Sequence, residues 1–182
     1  VVTILITGAT GLVGERLLPR LVEAGVICRA LVRAGKAVAT GATAFEGDLF
    51  DRDALARAVD GVSAIVHLAA VFRTKDNGLI WKSNLEGTQN LIAAVKSHAP
   101  KARFIMASTA HVYDRSTAHP GREADMVDPQ QAYPASKVAA ERELQGSGLA
   151  WSVLRFPFVY GDGDGHLEAL PSHLSAFAFH PA

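Results

Sequence analysis

The chain has 182 residues, enough for one domain and a fraction of a second, and its 49% apolar and 20% charged residues form an ordinary globular balance that excludes a disordered polypeptide. Eighteen Lys and Arg cancel eighteen Asp and Glu with no block of one sign, so the broad positive field of a nucleic-acid binder is absent. No apolar run reaches the ~18 residues a membrane span needs, and the single Cys28, which cannot form an internal disulfide, fits a reducing, cytoplasmic location.

Along the chain, short β-branched or apolar runs alternate with longer segments of helical spacing. The runs cover residues 1–7, 26–32, 42–45, 62–68, 103–107 and 151–156. The first lacks the basic flank of a signal peptide. All are apolar on both faces, as expected of strands covered by helices on either side. The helices are expected at 12–24, 52–59, 79–97 and 134–145. Pro19 predicts a bend in the first, or a helix that tolerates it near the surface. In the third, Ile80, Asn84, Gly87, Leu91 and Val95 recur at spacings of four, three, four and four and form one face. Gly87 on that face is expected to let the helix approach the sheet, because a mid-helix glycine otherwise costs about 1 kcal/mol against alanine. Residues 73–78 and 114–131 read as loops after strands, where ligands bind in such sheets. The fold class is α/β, a doubly wound parallel sheet of the Rossmann kind.

The sequence Thr7-Gly8-Ala9-Thr10-Gly11-Leu12-Val13-Gly14 joins the first strand to the first helix. One glycine permits the sharp turn, a second lets the backbone approach a pyrophosphate, and a third lets helix pack on strand. The helix N-terminus then offers its free N–H groups to the phosphates. The second strand ends without the acid that usually binds the adenosine ribose of NAD. It ends instead on Arg33, where a guanidinium can pair with a 2′-phosphate, with Lys36 or Arg29 assisting. NADP is therefore expected over NAD. Asp48 after the third strand can accept from the adenine amino group while Leu49 covers the ring. Leu68, Ala69 and Ala70 end the fourth strand with side chains small enough for a cofactor to lie against the backbone. His67 beside them reads as a satisfied buried histidine.

Tyr133-Pro134-Ala135-Ser136-Lys137 sets a phenol and an ammonium four residues apart, on one helix face, with Pro134 in the first turn. A phenol has an ordinary pKa of about 10. A neighbouring ammonium, with the positive nicotinamide of an oxidised cofactor, is expected to lower it. Such a tyrosine can exchange a proton with a substrate oxygen while hydride moves at the adjacent carbon. Thr109 after the fifth strand can hydrogen-bond a substrate carbonyl, with Ser108 as its rival. Asn84 is polar in mid-helix and can bind a water or a backbone carbonyl behind Lys137.

These motifs, with Asn84-Leu85-Glu86-Gly87-Thr88, Ser108-Thr109-x-x-Val112-Tyr113 and Leu154-Arg155-x-x-x-Val159-Tyr160-Gly161, stand in an order that resembles an extended short-chain dehydrogenase/reductase of the NAD-dependent epimerase/dehydratase type. Asp114 and Asp162 depart from the glycine and proline frequent in that family. The resemblance implies Tyr133 as catalytic acid/base and Lys137 as the ribose-binding, Tyr-tuning residue. It puts Thr109 at the catalytic Ser/Thr position and Asn84 at the family asparagine, and places Pro157 and Phe158 beside the nicotinamide carboxamide. No metal ligand is implied. Residues 1–165 would be the dinucleotide-binding domain and 166–182 the start of a substrate lobe that is mostly missing from this chain. The implied reaction is hydride transfer on a secondary alcohol or ketone, with a nucleotide sugar as substrate. The runners-up are a ketone reductase like dihydroflavonol reductase and a non-catalytic NADP sensor on the same fold. A homodimer through the helices at 79–97 and 134–145 is also implied.

Overall fold

In the computed structural model, which describes residues 2–113, 121–162 and 164, six strands form one parallel sheet. They are β1 (Thr3–Thr7), β2 (Ile27–Val32), β3 (Thr43–Glu46), β4 (Ala64–His67), β5 (Arg103–Thr109) and β6 (Ala150–Phe156), in the order β3-β2-β1-β4-β5-β6. Between them run α1 (Gly14–Glu23), α2 (Arg52–Val59), α3 (Asn77–Trp81), a π-helical turn (Lys82–Glu86), α4 (Gly87–His98), a 3-10 turn (Ala110–Val112) and α5 (Ala132–Gln145). Strand order reverses between β1 and β4. In sheets of this kind, ligands bind in the crevice at that switch point, beyond the strands' carboxyl ends.

Alternate strand residues feed two cores. Leu5, Leu31, Ile65, Phe104 and Met106 pack with Leu55 and Val59 of α2, Leu91 and Val95 of α4, and Leu144 of α5. Ile6, Cys28, Ala30 and Val32 point the other way, against Leu18 of α1. Leu5, Ile65 and Phe104 are fully buried, so truncating any of them to Ala would cost roughly 2–5 kcal/mol. Helices on both faces explain why the strands read as unbroken apolar runs. Among the described residues, no helix is long and apolar enough to cross a membrane.

Three local expectations are corrected or narrowed. α1 runs through Pro19 as one helix. The segment expected as one helix over 79–97 begins earlier, because the Asp76 carboxylate caps it by accepting from Leu79 N at 3.0 Å, and it is interrupted by the π turn. Gly87 does not meet the sheet itself. A Cβ there would lie 2.9 Å from Leu49 Cδ1, so the glycine makes room for the loop after β3. The part of the expected 114–131 loop at 114–120, and the expected lobe at 166–182, lie outside the described residues.

Candidate active site

The glycine turn is tight for reasons of space. Gly8 has φ +72°, and a Cβ on it would sit 2.6 Å from Ala69 N at the end of β4. A Cβ on Gly14 would sit 2.3 Å from Gly8 O. Both contacts are with backbone, which cannot swing aside. Gly11 differs: a Cβ there meets only Gly8 O, at 3.4 Å, so its surface is left for something outside the fold. α1 starts without a side-chain cap; Glu15 N and Arg16 N donate back to Gly11 O and Val13 O at 2.9 and 3.2 Å, so it is the amides of Leu12, Val13 and Gly14, which line that space, that are left for a ligand.

The turn lines a cleft of about 870 Å³ at the switch point. Gly8, Thr10, Gly11, Leu12, Val13 and Gly14 line it together with Arg33, Asp48 and Leu49 on one side and Leu68, Ala69 and Ala70 on the other. Thr109, Tyr133, Lys137, Pro157 and Phe158 line the same cleft. Asn84 does not. Arg33 is exposed at the end of β2, and its carbonyl accepts from Lys36 N at 3.1 Å in a turn that leaves Lys36 off the cleft wall. Arg29 cannot assist, as its guanidinium donates to the carbonyls of Ala58 and Asp60 at 3.1 and 2.6 Å. Asp48 spends one oxygen on Phe50 N and Asp51 N. Asp51, not Asp48, caps α2 through Ala54 N at 2.9 Å, a contact worth about 1 kcal/mol.

On the β4–β6 side, Tyr133 is half-buried in the first turn of α5, its ring 5.5 Å from that of Phe72. Burial pushes its phenol above the ordinary value. The expected lowering is thus not met by the protein alone, and a lower value requires positive charge from a ligand. Lys137 is almost fully buried. Desolvation holds its ammonium down at about 8, against an opposing pull from Glu141. Among the described residues that ammonium makes no hydrogen bond or ion pair, though it borders the cleft.

Hydrogen bonds separate the two rival hydroxyls. Ser108 Oγ donates to Glu141 Oε1, so its one hydrogen is spent. Thr109 Oγ1 accepts from His111 N at 3.2 Å and keeps its hydrogen for the cleft. Asn84 is fully buried: its Oδ1 accepts from Val71 N at 2.8 Å, and its Nδ2 donates to Val71 O at 2.8 Å and to Ser136 Oγ at 3.0 Å. It touches a backbone carbonyl, as expected, but it reaches the cleft only through Val71 and Ser136. His67 is satisfied on both nitrogens. Thr88 Oγ1 donates to Asn84 O at 2.6 Å, so at 2.9 Å it can only accept from His67 Nε2. Nδ1 then accepts from Thr7 Oγ1 at 2.6 Å.

Sequence reasoning passed over several cleft residues, including Ser83, Phe72, Arg73 and Asp164. Arg73 pairs with Asp164 at 3.4 Å, joining the segment after β4 to the one after β6. Arg16 of α1 donates to Asp162 O and ties the same segment from the other side. The one signal for Arg73 was its place in a polar stretch after a strand.

Comparison with known proteins bears on this site. The model of the NAD dependent epimerase/dehydratase family matches residues 4–178. The 2-alkyl-3-oxoalkanoate reductase of Stenotrophomonas maltophilia (strain K279a) is 35% identical over 178 residues, which cover 90% of this chain and 53% of that protein. The UDP-glucose 4-epimerase of Streptomyces lividans is 31% identical over 159 residues, 80% of this chain and 47% of that one. The solved structure of MoeE5 in complex with UDP-glucose and NAD superposes with a TM-score of 0.78 at 30% identity, covering 88% of this chain and 56% of that one. The chain spans about half the length of these curated relatives. With the glycine turn, the Tyr133 and Lys137 pair and the parallel sheet all falling inside the matched residues, the chain belongs to the NAD dependent epimerase/dehydratase family.

Proposed function

We propose that this chain carries the cofactor site and the proton-transfer group of an enzyme that moves a hydride between NAD(P) and a secondary alcohol or ketone. The observation that carries the reading is that Tyr133, Lys137 and Thr109 line the same cleft as the glycine turn. The amides at the start of α1 would hold the pyrophosphate, Asp48 and Leu49 the adenine, and Lys137 the nicotinamide ribose. Leu68, Ala69, Ala70, Pro157 and Phe158 would flank the nicotinamide, which when bound gives or takes the hydride. Thr109 donates a hydrogen bond to the substrate oxygen and Tyr133 exchanges the proton with it. Tyr133, raised by burial, is protonated at neutral pH and suited to donate in the reductive direction. Lys137, with its value at about 8, is mostly charged at pH 7 and can stabilise the phenolate that donation leaves.

Arg33 supports NADP over NAD, since it stands where an acid would select an unmodified ribose. MoeE5 is solved with NAD, so both cofactors belong in the test. The substrate reading is a nucleotide sugar, in line with the epimerase among the relatives. A second reading, a ketone reductase, is favoured by the 35% identity to a 3-oxoalkanoate reductase and by the aromatic wall of Phe72 and Tyr133. Residues 1–165 act as the cofactor domain in either case.

The test uses the purified protein. Tyr133→Phe is expected to bind NADPH as the parent does and to lose turnover by about 10²–10⁴-fold. A panel of UDP-sugars and 3-oxo acids separates the two substrate readings. A parent that binds NADPH tightly and turns over neither class would leave the non-catalytic sensor in its place. Arg33→Ala is expected to weaken NADP binding about tenfold or more and leave NAD unchanged. Equal effects on both would refute the phosphate role.

A further inference from the structure

We infer that Glu141 is a positioning residue for the proposed reaction, one that supplies the negative charge holding the Lys137 ammonium in its charged form inside the fold. The inference rests on the proposed function, in which Lys137 serves the cofactor and Tyr133.

Glu141 lies one helical turn beyond Lys137 on α5, the spacing at which side chains become neighbours. It is almost fully buried. Burying a carboxylate without partners is costly, but this one has several. Ser108 Oγ of β5 donates to Oε1. From β6, Arg155 Nε donates at 3.2 and 3.3 Å to the two oxygens, and its Nη2 donates to Oε2 at 2.6 Å. Arg155 is itself held: its Nη1 donates to Tyr113 Oη at 3.0 Å and to Glu123 O at 3.4 Å, and its guanidinium lies 5.0 Å from the Tyr113 ring centre. The carboxylate is thus held by one hydroxyl and one guanidinium, four residues from a buried ammonium that has no partner of its own among the described residues.

The other groups facing Lys137 do not offer that charge. From β4, His67 is neutral, held down at about 3 by burial and by Lys137 itself. On α5, Tyr133 is a protonated phenol. The π turn presents the uncharged Asn84, and α3 contains no titratable residue. The 3-10 turn brings His111 to the cleft, while Tyr113 after it is engaged by Arg155. On α4, Lys96 and His98 are exposed in the last turn. Glu141 is the one group whose charge raises Lys137 against its burial.

The same contacts also brace α5 against β5 and β6, so the test must separate charge from bracing. Titration of Lys137 in the 13C-lysine-labelled chain by NMR does so without any turnover. The parent midpoint is expected near 8. Glu141→Gln should lower it by about one unit. The double exchange Glu141→Gln with Arg155→Gln, which substitutes a neutral pair, should leave it lowered, and Glu141→Asp should return it toward the parent. In the purified protein, the alkaline limb of carbonyl reduction should move to lower pH with the Lys137 midpoint. An unchanged midpoint in the folded variants would overturn the inference and leave Glu141 a brace. Should Glu141→Gln fail to fold, the double exchange and Glu141→Asp decide between charge and brace in its place. A parent that binds no NAD(P)H would sink the functional reading instead, while the lysine titration still decides the role of Glu141.

Discussion

Each ring nitrogen of His67 is committed in a chain of hydrogen bonds from Ala69 N through Thr7, His67 and Thr88 to Asn84 O. A second proton on the ring would need Nδ1 to donate toward a hydroxyl that now donates to it. Burial adds to that cost and holds the imidazole down at about 3, below its ordinary 6.5. Between those values the unfolded chain binds the proton and the folded one does not. The His67 contribution is therefore intact above pH 6.5 and falls as pH drops toward 3, by about 1.4 kcal/mol per unit at most. Urea unfolding at pH 7 and pH 4.5 measures this, and His67→Gln should flatten the pH slope. Equal slopes in parent and variant would show that His67 is not the group responsible. A buried, satisfied histidine was legible in the sequence, since His67 closes an apolar strand. Glu141 was not. A single acid on a helix reads as solvated surface, and only the fold brings Arg155, fourteen residues away, onto its two oxygens.

At the scale of elements, the glycine turn gives the sharpest contrast. Gly8 and Gly14 are packed against backbone, whereas Gly11 has space. Gly14→Ala should cost roughly 1–3 kcal/mol of stability through overpacking, and Gly8→Ala at least as much, because its positive φ adds strain. Gly11→Ala should keep the parent melting temperature yet weaken NADPH binding, as its methyl would stand where the phosphates approach. Thermal unfolding and a fluorescence titration on the three variants check both halves of this claim, and a Gly11→Ala variant that binds as well as the parent would refute the second. The turn, its flanking strand and the helix after it were readable because each carries a local signal. The π turn was not. A hydrophobic spacing of four, three, four and four is the same whether or not one extra residue is wound into the helix. Nor could spacing say that Gly87 faces Leu49, since that contact joins α4 to a loop some forty residues earlier in the chain.

At the scale of the whole molecule, the cleft belongs to neither half of the sheet. Arg33, Asp48 and Leu49 come from the β1–β3 side, Thr109, Tyr133, Lys137 and Phe158 from the β4–β6 side, and the glycine turn sits between them. The alternation of strands with helices and the right-handed crossover rule made the parallel sheet foreseeable, though not its strand order. The ties to the segment after β6, Arg73 to Asp164 and Arg16 to Asp162 O, were not foreseeable, because each joins segments remote in sequence. A dinucleotide lying along such a cleft touches both halves and binds only when they are assembled. Ligand at a hundred times its dissociation constant then stabilises the fold by about 2.7 kcal/mol, which for a chain of this size is a rise of roughly 5–10 °C in melting temperature. NADP should reach that rise at a lower concentration than NAD, and Arg33→Ala should abolish the difference between the two. A melting temperature unmoved by either nucleotide at millimolar concentration would mean that the cleft, whatever its shape, is not a dinucleotide site.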